Sequence, residues 1–313
     1  MEALAVLMEA PETLSVRSIG LHPLGEGDVR VEVAWSGIST GTERLLWTGR
    51  MPPFPGMGYP LVPGYEAVGR IVEAGPLARD RLGEWVFVAG ARCFEGANGL
   101  FGAAAQNLIV PAARALPVAE SLGERGVLVA LAATAYHMLA GGNPPDLIIG
   151  HGVLGRLLAR ITVACGSPGP VVWETNAGRR AGAEGRGYTV VDPSDDERRD
   201  YGTIYDVSGD AGIIDTLIAR LARGGELVLG GFYHAPVAFT FPPAFQREAR
   251  LRIAAEWQPE DLDATLALIA SRSLDLGGLV TDVRPVAEAR DAYTTAFNDP
   301  RCLKMAIDWR DAA

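Results

Sequence analysis

The sequence predicts an α/β protein in two parts, a mostly antiparallel β-domain followed by a doubly wound parallel sheet. Three observations carry this reading. Up to about Pro117 the apolar runs are short, β-branched and broken by turn residues. From Leu147 onward short apolar strands alternate with segments of helical spacing, as a parallel sheet with crossover helices requires. At the head of that second half the run Leu147-Ile-Ile149 empties into Gly150-His-Gly152-Val-Leu-Gly155, and apolar residues at helical spacing follow: Leu154, Leu157, Leu158 and Ile161.

Taken in order, the stretch from Met1 to Met8 reads as a first strand and not as a leader, since it lacks basic residues and runs into Glu9 and Pro11. The stretch 29–35 alternates with period two, and 68–75 and 84–88 read the same way. Residues 122–139 carry alanine, leucine and valine at helical spacing. Strands are then expected at 147–149, 171–174, 188–192, 203–207, 225–229 and 251–257, the six that a two-halved dinucleotide sheet needs. Helices are expected at 213–221 and from Pro259 through Leu262, Leu266 and Ile269. The tail, 279–309, mixes strands with one helix (286–297) and is too short to fold alone. The expected division is 1–120, 121–257 and 258–313.

The glycines have separate physical jobs. Gly150 turns the chain, Gly152 lets a pyrophosphate approach the backbone, with Val153 and Leu154 beside it, and Gly155 lets helix and strand pack closely. Glu174 closes the next strand, 24 positions after Gly150, near the roughly 20-residue interval at which an acid takes the ribose hydroxyls of NAD. A carboxylate there repels a 2′-phosphate, which favours NAD over NADP, although Arg179 and Arg180 follow and could hold such a phosphate. His151, inside the turn, is expected to line the cofactor channel. Ser208-Gly209 and Gly230-Gly231-Phe232 stand at strand ends, where ligands of parallel sheets lie, and are assigned to the adenosine and nicotinamide sides.

Composition sets outer limits. The formal charge of −10 argues against nucleic acid and against a polybasic membrane anchor, and no apolar run approaches the ~18–20 residues of a transmembrane span. Cys93, Cys165 and Cys302 are scattered, which fits neither a disulfide framework nor a structural zinc lobe and makes a reducing cytoplasm the simplest compartment. Lys304 is the only lysine, a pattern that reads as codon bias.

Several segments resemble the medium-chain dehydrogenase/reductase superfamily over nearly the whole chain: Val33-Ala-Trp-Ser-Gly37-Ile-Ser39, Pro60-Leu-Val-Pro63-Gly64-Tyr65-Glu66, Ala133-Thr-Ala-Tyr-His137, Val207-Ser-Gly209 and the stretch 225–230. The resemblance implies a GroES-like β-domain first, a Rossmann domain second, and a C-terminus that returns to the first. It also implies that Thr134 faces the nicotinamide and that homodimers form through the sixth strand of the nucleotide sheet. Zinc-dependent relatives would carry Cys at Ser39, His at Tyr65 and Cys near Ala130. All three are replaced, and a site without thiolate or imidazole cannot be assumed to hold Zn²⁺, so the chain resembles the zinc-free members.

More narrowly, Gly37-Ile-Ser-Thr-Gly-Thr-Glu43, Pro60-Leu-Val-Pro-Gly-Tyr-Glu66 and Leu100-Phe-Gly-Ala-Ala-Ala105 resemble the family that oxidises the hydroxyethyl group of bacteriochlorophyllides. That implies a tetrapyrrole substrate whose C3 1-hydroxyethyl group becomes acetyl, with NAD⁺ taking the hydride. The catalytic pocket then maps onto Ser39, Thr40, Tyr65 and Glu66, with Glu66 as base or relay and Tyr65 orienting the hydroxyl.

The stretch 47–60, rich in Met, Pro and aromatics and including Met51, Phe54, Met57 and Tyr59, could wall a flat macrocycle, with Arg44 or Arg50 meeting a propionate. It could equally pack on its own domain. His137 is expected to be a satisfied core or interface histidine, and His22 and His234 loop residues. Glu43 matches an acid of zinc-free relatives, and helix capping explains it equally well. Two alternatives remain: a zinc-free quinone or enoyl reductase using NADPH, and an NAD-binding protein without catalysis.

Overall fold

The computed structural model describes residues 1–53 and 55–312. They form two compact units, one built from Met1–Ala130 together with the chain from Gly277, the other from Leu131–Leu276.

The first unit opens with the hairpin β1 (Glu2–Ala10) and β2 (Thr13–Gly20), followed by β3 (Asp28–Ile38) and the short helix α1 (Thr42–Trp47). Strands β4 (Leu61–Val62), β5 (Ala67–Ala74), β6 (Trp85–Val88), β7 (Asn98–Gly99), β8 (Asn107–Pro111) and β9 (Ala115–Pro117) complete this stretch. In β3 the period-two pattern buries Val29, Val31 and Val33 and turns Arg30 and Glu32 outward.

The second unit contains α2 (Val129–Leu139, from Leu131), β10 (Leu147–Ile149), α3 (Val153–Ala164), β11 (Val171–Trp173), β12 (Thr189–Val191) and β13 (Tyr201–Asp206). It continues with α4 (Ile214–Arg220), β14 (Leu221–Leu229), α5 (Phe241–Arg247), β15 (Arg250–Ile253) and α6 (Pro259–Ala270). The chain then returns to the first unit as β16 (Asp282–Pro285), α7 (Ala289–Asn298) and β17 (Met305–Asp308).

In the first unit one sheet runs β16-β17-β3-β5-β6-β9, with β8 also paired to β3, and a second runs β2-β1-β4-β7. Pairing is antiparallel except at β16–β17 and β4–β7. Both sheets feed one core, to which α7 adds Tyr293 and Phe297. In the second unit all pairs are parallel and the order is β12-β11-β10-β13-β14-β15. That is the doubly wound order, and it reverses between β10 and β13, where such sheets bind ligands. The glycine turn follows β10 at this point.

The structure departs from the sequence expectation at three places. Residues 120–128 form 3₁₀ turns because Gly123 adopts φ +56°, so the α-helix begins only at Val129. The sixth strand stops at Ile253, and Glu256 is left-handed at φ +60°. The joints fall at 130/131 and 276/277 instead of 120/121 and 257/258. Helix α6 belongs to the second unit because Leu262 and Thr265 are buried there and Asp261 bonds His137 of α2. Among the described residues no helix is long and apolar enough to cross a membrane.

Candidate functional site

The glycine turn has the geometry that a diphosphate needs. Gly150 stands at φ +98°, a conformation other residues rarely adopt. A Cβ on Gly155 would lie 1.9 Å from the Gly150 carbonyl oxygen, whereas one on Gly152 would meet nothing within 4 Å. The close contact seals helix against strand, and the open space lies where the turn faces outward. Gly152 is the N-cap of α3 and offers no side-chain cap, so the first-turn N–H groups, at Val153, Leu154 and Gly155, are available to an anion.

Glu174 is buried at the end of β11, and its two oxygens accept the backbone N–H groups of His151 (3.1 Å) and Asn176 (2.8 Å). The acid is thereby fixed against the glycine turn. Arg180 is paired to Asp192, and Arg179 gives its carbonyl to His151 and Arg156.

His151 does not line a channel. Its ring is fully buried, with Nδ1 2.7 Å from the Arg179 carbonyl and Nε2 3.0 Å from the Tyr188 hydroxyl. Burial pulls its pKa down to about 4, which keeps it neutral. No local pattern signals that the ring turns inward, because its partners lie 28 and 37 residues on.

At the neighbouring strand ends, Ser208 bonds Asp206 through both its N–H and its hydroxyl. Gly209 is left-handed at φ +72°, and a Cβ on Gly231 would come within 2.7 Å of its nitrogen. The loops after β13 and β14 therefore touch backbone to backbone, with Gly230 packed on Met138 and Phe232 exposed. Thr134 is half-buried on α2.

In the first unit, Ser39 follows β3 and Tyr65 precedes β5. Their hydroxyl oxygens are 2.7 Å apart, so two of the positions that would carry metal ligands in zinc relatives are in contact. Thr40 is half-buried in the turn that leads into α1. Among the described residues no cluster of three His, Cys, Asp or Glu side chains could hold a metal. Hydroxyl groups without thiolate or imidazole are a poor donor set for Zn²⁺.

Behind the hydroxyl pair lies a buried set of charges. Glu66 is completely buried, and its Oε2 accepts from Lys304 Nζ at 2.6 Å. Lys304 Nζ also donates to the Ile38 carbonyl at 3.2 Å. The antiparallel register opposes Met305 to Ile38, which delivers the preceding lysine to this spot. Gly37 makes the room, since a Cβ there would stand 2.2 Å from Glu66 Oε2.

Burial raises the Glu66 pKa, and the Lys304 ammonium opposes that rise. Glu66 has no exposed surface and stands behind the hydroxyl pair. Burial also pushes the Tyr65 hydroxyl up, helped by the Glu66 charge and opposed by hydrogen bonds to Ser39 and Thr42.

Glu43, in the first turn of α1, accepts the Ser39 N–H at 2.8 Å and the Tyr293 hydroxyl at 2.9 Å. Burial raises it to about 7. The N-terminus of α1 has no side-chain cap bond, so the acid does not cap it and instead ties the Ser39 backbone to Tyr293 on α7. Lys304 and Tyr293 were invisible to sequence reasoning. The one available signal is that Lys304 is the single lysine of an arginine-rich chain, and it stands in a buried ion pair.

The described residues of the stretch 47–60 are only partly packed, with Gly49, Arg50, Pro52, Pro53, Pro55 and Gly56 exposed. Met51 is buried, Trp47 tilts against Phe297 at 6.4 Å, and Met57 and Tyr59 lean on the core, while Arg44 and Arg50 are exposed. Phe54 lies outside the described residues. His137 Nδ1 is 2.7 Å from Asp261, a satisfied contact between helices, and His22 and His234 are exposed loop residues.

Residues 25–120 match the alcohol dehydrogenase GroES-like domain. The chain is 58% identical over 320 residues to 2-desacetyl-2-hydroxyethyl bacteriochlorophyllide A dehydrogenase of Cereibacter sphaeroides, covering 100% of both chains. It is also 58% identical over 315 residues to the Rhodobacter capsulatus protein of the same name, again covering 100% of both. Among solved structures, a short chain alcohol dehydrogenase from Escherichia coli complexed with NADH superposes with a TM-score of 0.84 at 18% identity, over 98% of this chain and 99% of that one. The chain belongs to the 2-desacetyl-2-hydroxyethyl bacteriochlorophyllide A dehydrogenase family, within the medium-chain dehydrogenase/reductase superfamily.

Proposed function

We propose that this dehydrogenase oxidises the C3 1-hydroxyethyl group of a bacteriochlorophyllide to acetyl, with NAD⁺ as acceptor and without catalytic zinc. The observation that carries this reading is the Ser39–Tyr65 hydroxyl pair, standing where zinc relatives hold metal, in a chain identical at 58% of positions to relatives named for this substrate. When bound, the nicotinamide supplies the hydride acceptor.

The chain's own residues do the rest. The open face of Gly152 and the first-turn N–H groups of α3 hold the diphosphate, while Glu174 takes the ribose hydroxyls and repels a 2′-phosphate. Ser208, Gly209, Gly230, Gly231, Phe232 and Thr134 border the remainder of the cofactor. Ser39 and Tyr65 orient the carbinol oxygen and carry its proton away, with Thr40 beside them and Glu66 behind.

Incubation with NAD⁺ and a 3-hydroxyethyl bacteriochlorophyllide tests the reading. Conjugating an acetyl group to the macrocycle should shift its absorption to the red, and turnover should survive a zinc chelator. No turnover with NAD⁺, combined with efficient NADPH oxidation on a conjugated C=C substrate, would favour the enoyl-reductase alternative.

The outer strand β15 leaves Ile253 79% and Leu251 39% exposed, which supports homodimers through this edge. Light scattering at the mass of one chain would count against them. Three free cysteines support a reducing, cytoplasmic setting.

A further inference from the structure

The ion pair behind the hydroxyl pair is incomplete in one respect. Glu66 has two buried oxygens, and only Oε2 is bonded, to Lys304 Nζ at 2.6 Å. Oε1 is buried and has no hydrogen-bond partner among the described residues. A buried carboxylate oxygen without a donor is costly, and such orphans call for an explanation in function. Buried carboxylates normally have both oxygens satisfied, as Glu174 does here with two backbone N–H groups.

The surroundings narrow the explanation. Among the described residues, the only other carboxylate that acts on the Tyr65 hydroxyl is Glu43, whose oxygens are both taken, by the Ser39 N–H and the Tyr293 hydroxyl. Lys304 is anchored from the other side by the Ile38 carbonyl, and both partners of the pair are about 1% exposed. Without the ammonium, a carboxyl in so dry a place would bind a proton and lose its capacity to accept another.

We propose that Lys304 is a positioning residue for the dehydrogenation: by holding Oε2 it fixes Glu66 as a carboxylate whose open Oε1 accepts the proton leaving the substrate through the Ser39–Tyr65 hydroxyl pair. The inference rests on the dehydrogenase reading above. In the step, the carbinol C–H bond breaks with its electron pair, which goes as hydride to NAD⁺, and the C=O bond forms. The O–H proton passes to the hydroxyl pair, which gives up one of its own, and a new O–H bond forms at Glu66 Oε1. Once the ketone has left, the proton returns through the same hydroxyl pair to water, which restores the carboxylate.

The test compares wild type, Lys304→Met, Lys304→Arg and the double variant Glu66→Gln/Lys304→Met, all as full chains with NAD⁺ and the hydroxyethyl bacteriochlorophyllide. Lys304→Met should lower kcat about 100-fold, in the range of a lost acid–base function. Its KM for NAD⁺ should stay within about twofold, because the glycine turn is untouched. Its solvent deuterium isotope effect on kcat should rise as proton transfer becomes limiting, and Lys304→Arg should recover most of the rate.

If Lys304→Met does not fold, the double variant, which removes both charges together, replaces it. It should fold and remain slow, with the raised isotope effect. A folded Lys304→Met or double variant with the wild-type rate and isotope effect overturns the proposal while leaving the dehydrogenase reading intact. A wild-type protein that leaves the alcohol unoxidised overturns that reading itself, and with it this one.

Discussion

Gly152→Ala should separate stability from cofactor binding. The backbone at Gly152 lies at φ −72° and ψ −172°, open to any residue, and a Cβ there meets nothing within 4 Å. Replacing glycine at such a site removes freedom from the unfolded chain and stabilises by about 0.4–1 kcal/mol. That corresponds to a rise of roughly 1–4 °C in the melting transition that includes the turn. The same methyl group projects into the space a diphosphate would enter. Losing one charge-assisted hydrogen bond, about 1.5–3 kcal/mol, weakens NAD⁺ binding roughly 10- to 150-fold.

Gly155→Ala is the control. Its Cβ would sit 1.9 Å from the Gly150 oxygen, so backbone must move and stability should fall by about 1–3 kcal/mol or more. Scanning calorimetry of the free proteins and titration calorimetry with NAD⁺ read both quantities. A Gly152→Ala protein that binds NAD⁺ as tightly as wild type would refute the assignment of the turn. One that melts well below wild type would refute the account of its open face.

Three further outcomes follow from the same geometry. Tyr65→Phe removes the partner of Ser39 and should lower kcat roughly 10- to 1000-fold with little change in KM for NAD⁺, measured by steady-state kinetics. Glu174→Ala leaves the N–H groups of His151 and Asn176 without their acceptor and should weaken NAD⁺ about tenfold or more while narrowing its advantage over NADP⁺, measured by fluorescence titration. Burial raises Glu43 to about 7, so between pH ~4.5 and ~7 the folded protein holds a proton that the unfolded chain has released, and stability falls as pH rises through that window. Glu43→Gln should remove this slope, at most about 1.4 kcal/mol per pH unit, so its stability relative to wild type should grow from pH 5 to pH 7 and then level off in denaturant titrations.

The parts of the molecule that were legible in the sequence are those encoded locally. The strand, glycine turn, helix, strand and acid of the second unit span residues 147–174, and each is specified by neighbours within a few positions. The hydroxyl pair was placed by resemblance alone, because nothing local brings Ser39 to Tyr65.

What escaped was long-range. Lys304 meets Glu66 across 238 residues through the β17 register, and Tyr293 meets Glu43 across 250 from α7, and no local pattern announces either contact. His151 was misjudged because its position in the turn says where the backbone goes, and its ring is decided by Arg179 and Tyr188. The helix expected from Leu122 yielded to the glycines at 123 and 126, since a Cβ on Gly126 would crowd Val68 at 2.7 Å.

A chain whose sole lysine is sealed inside presents no lysine amine to the solvent. Succinimidyl esters and glutaraldehyde therefore find no lysine side chain to modify on the folded surface, and side-chain attachment can use carboxylates or the exposed Cys165. The same sealing turns Lys304 into a built-in reporter: a lysine adduct on this protein would record the moment at which β17 peels away from β3.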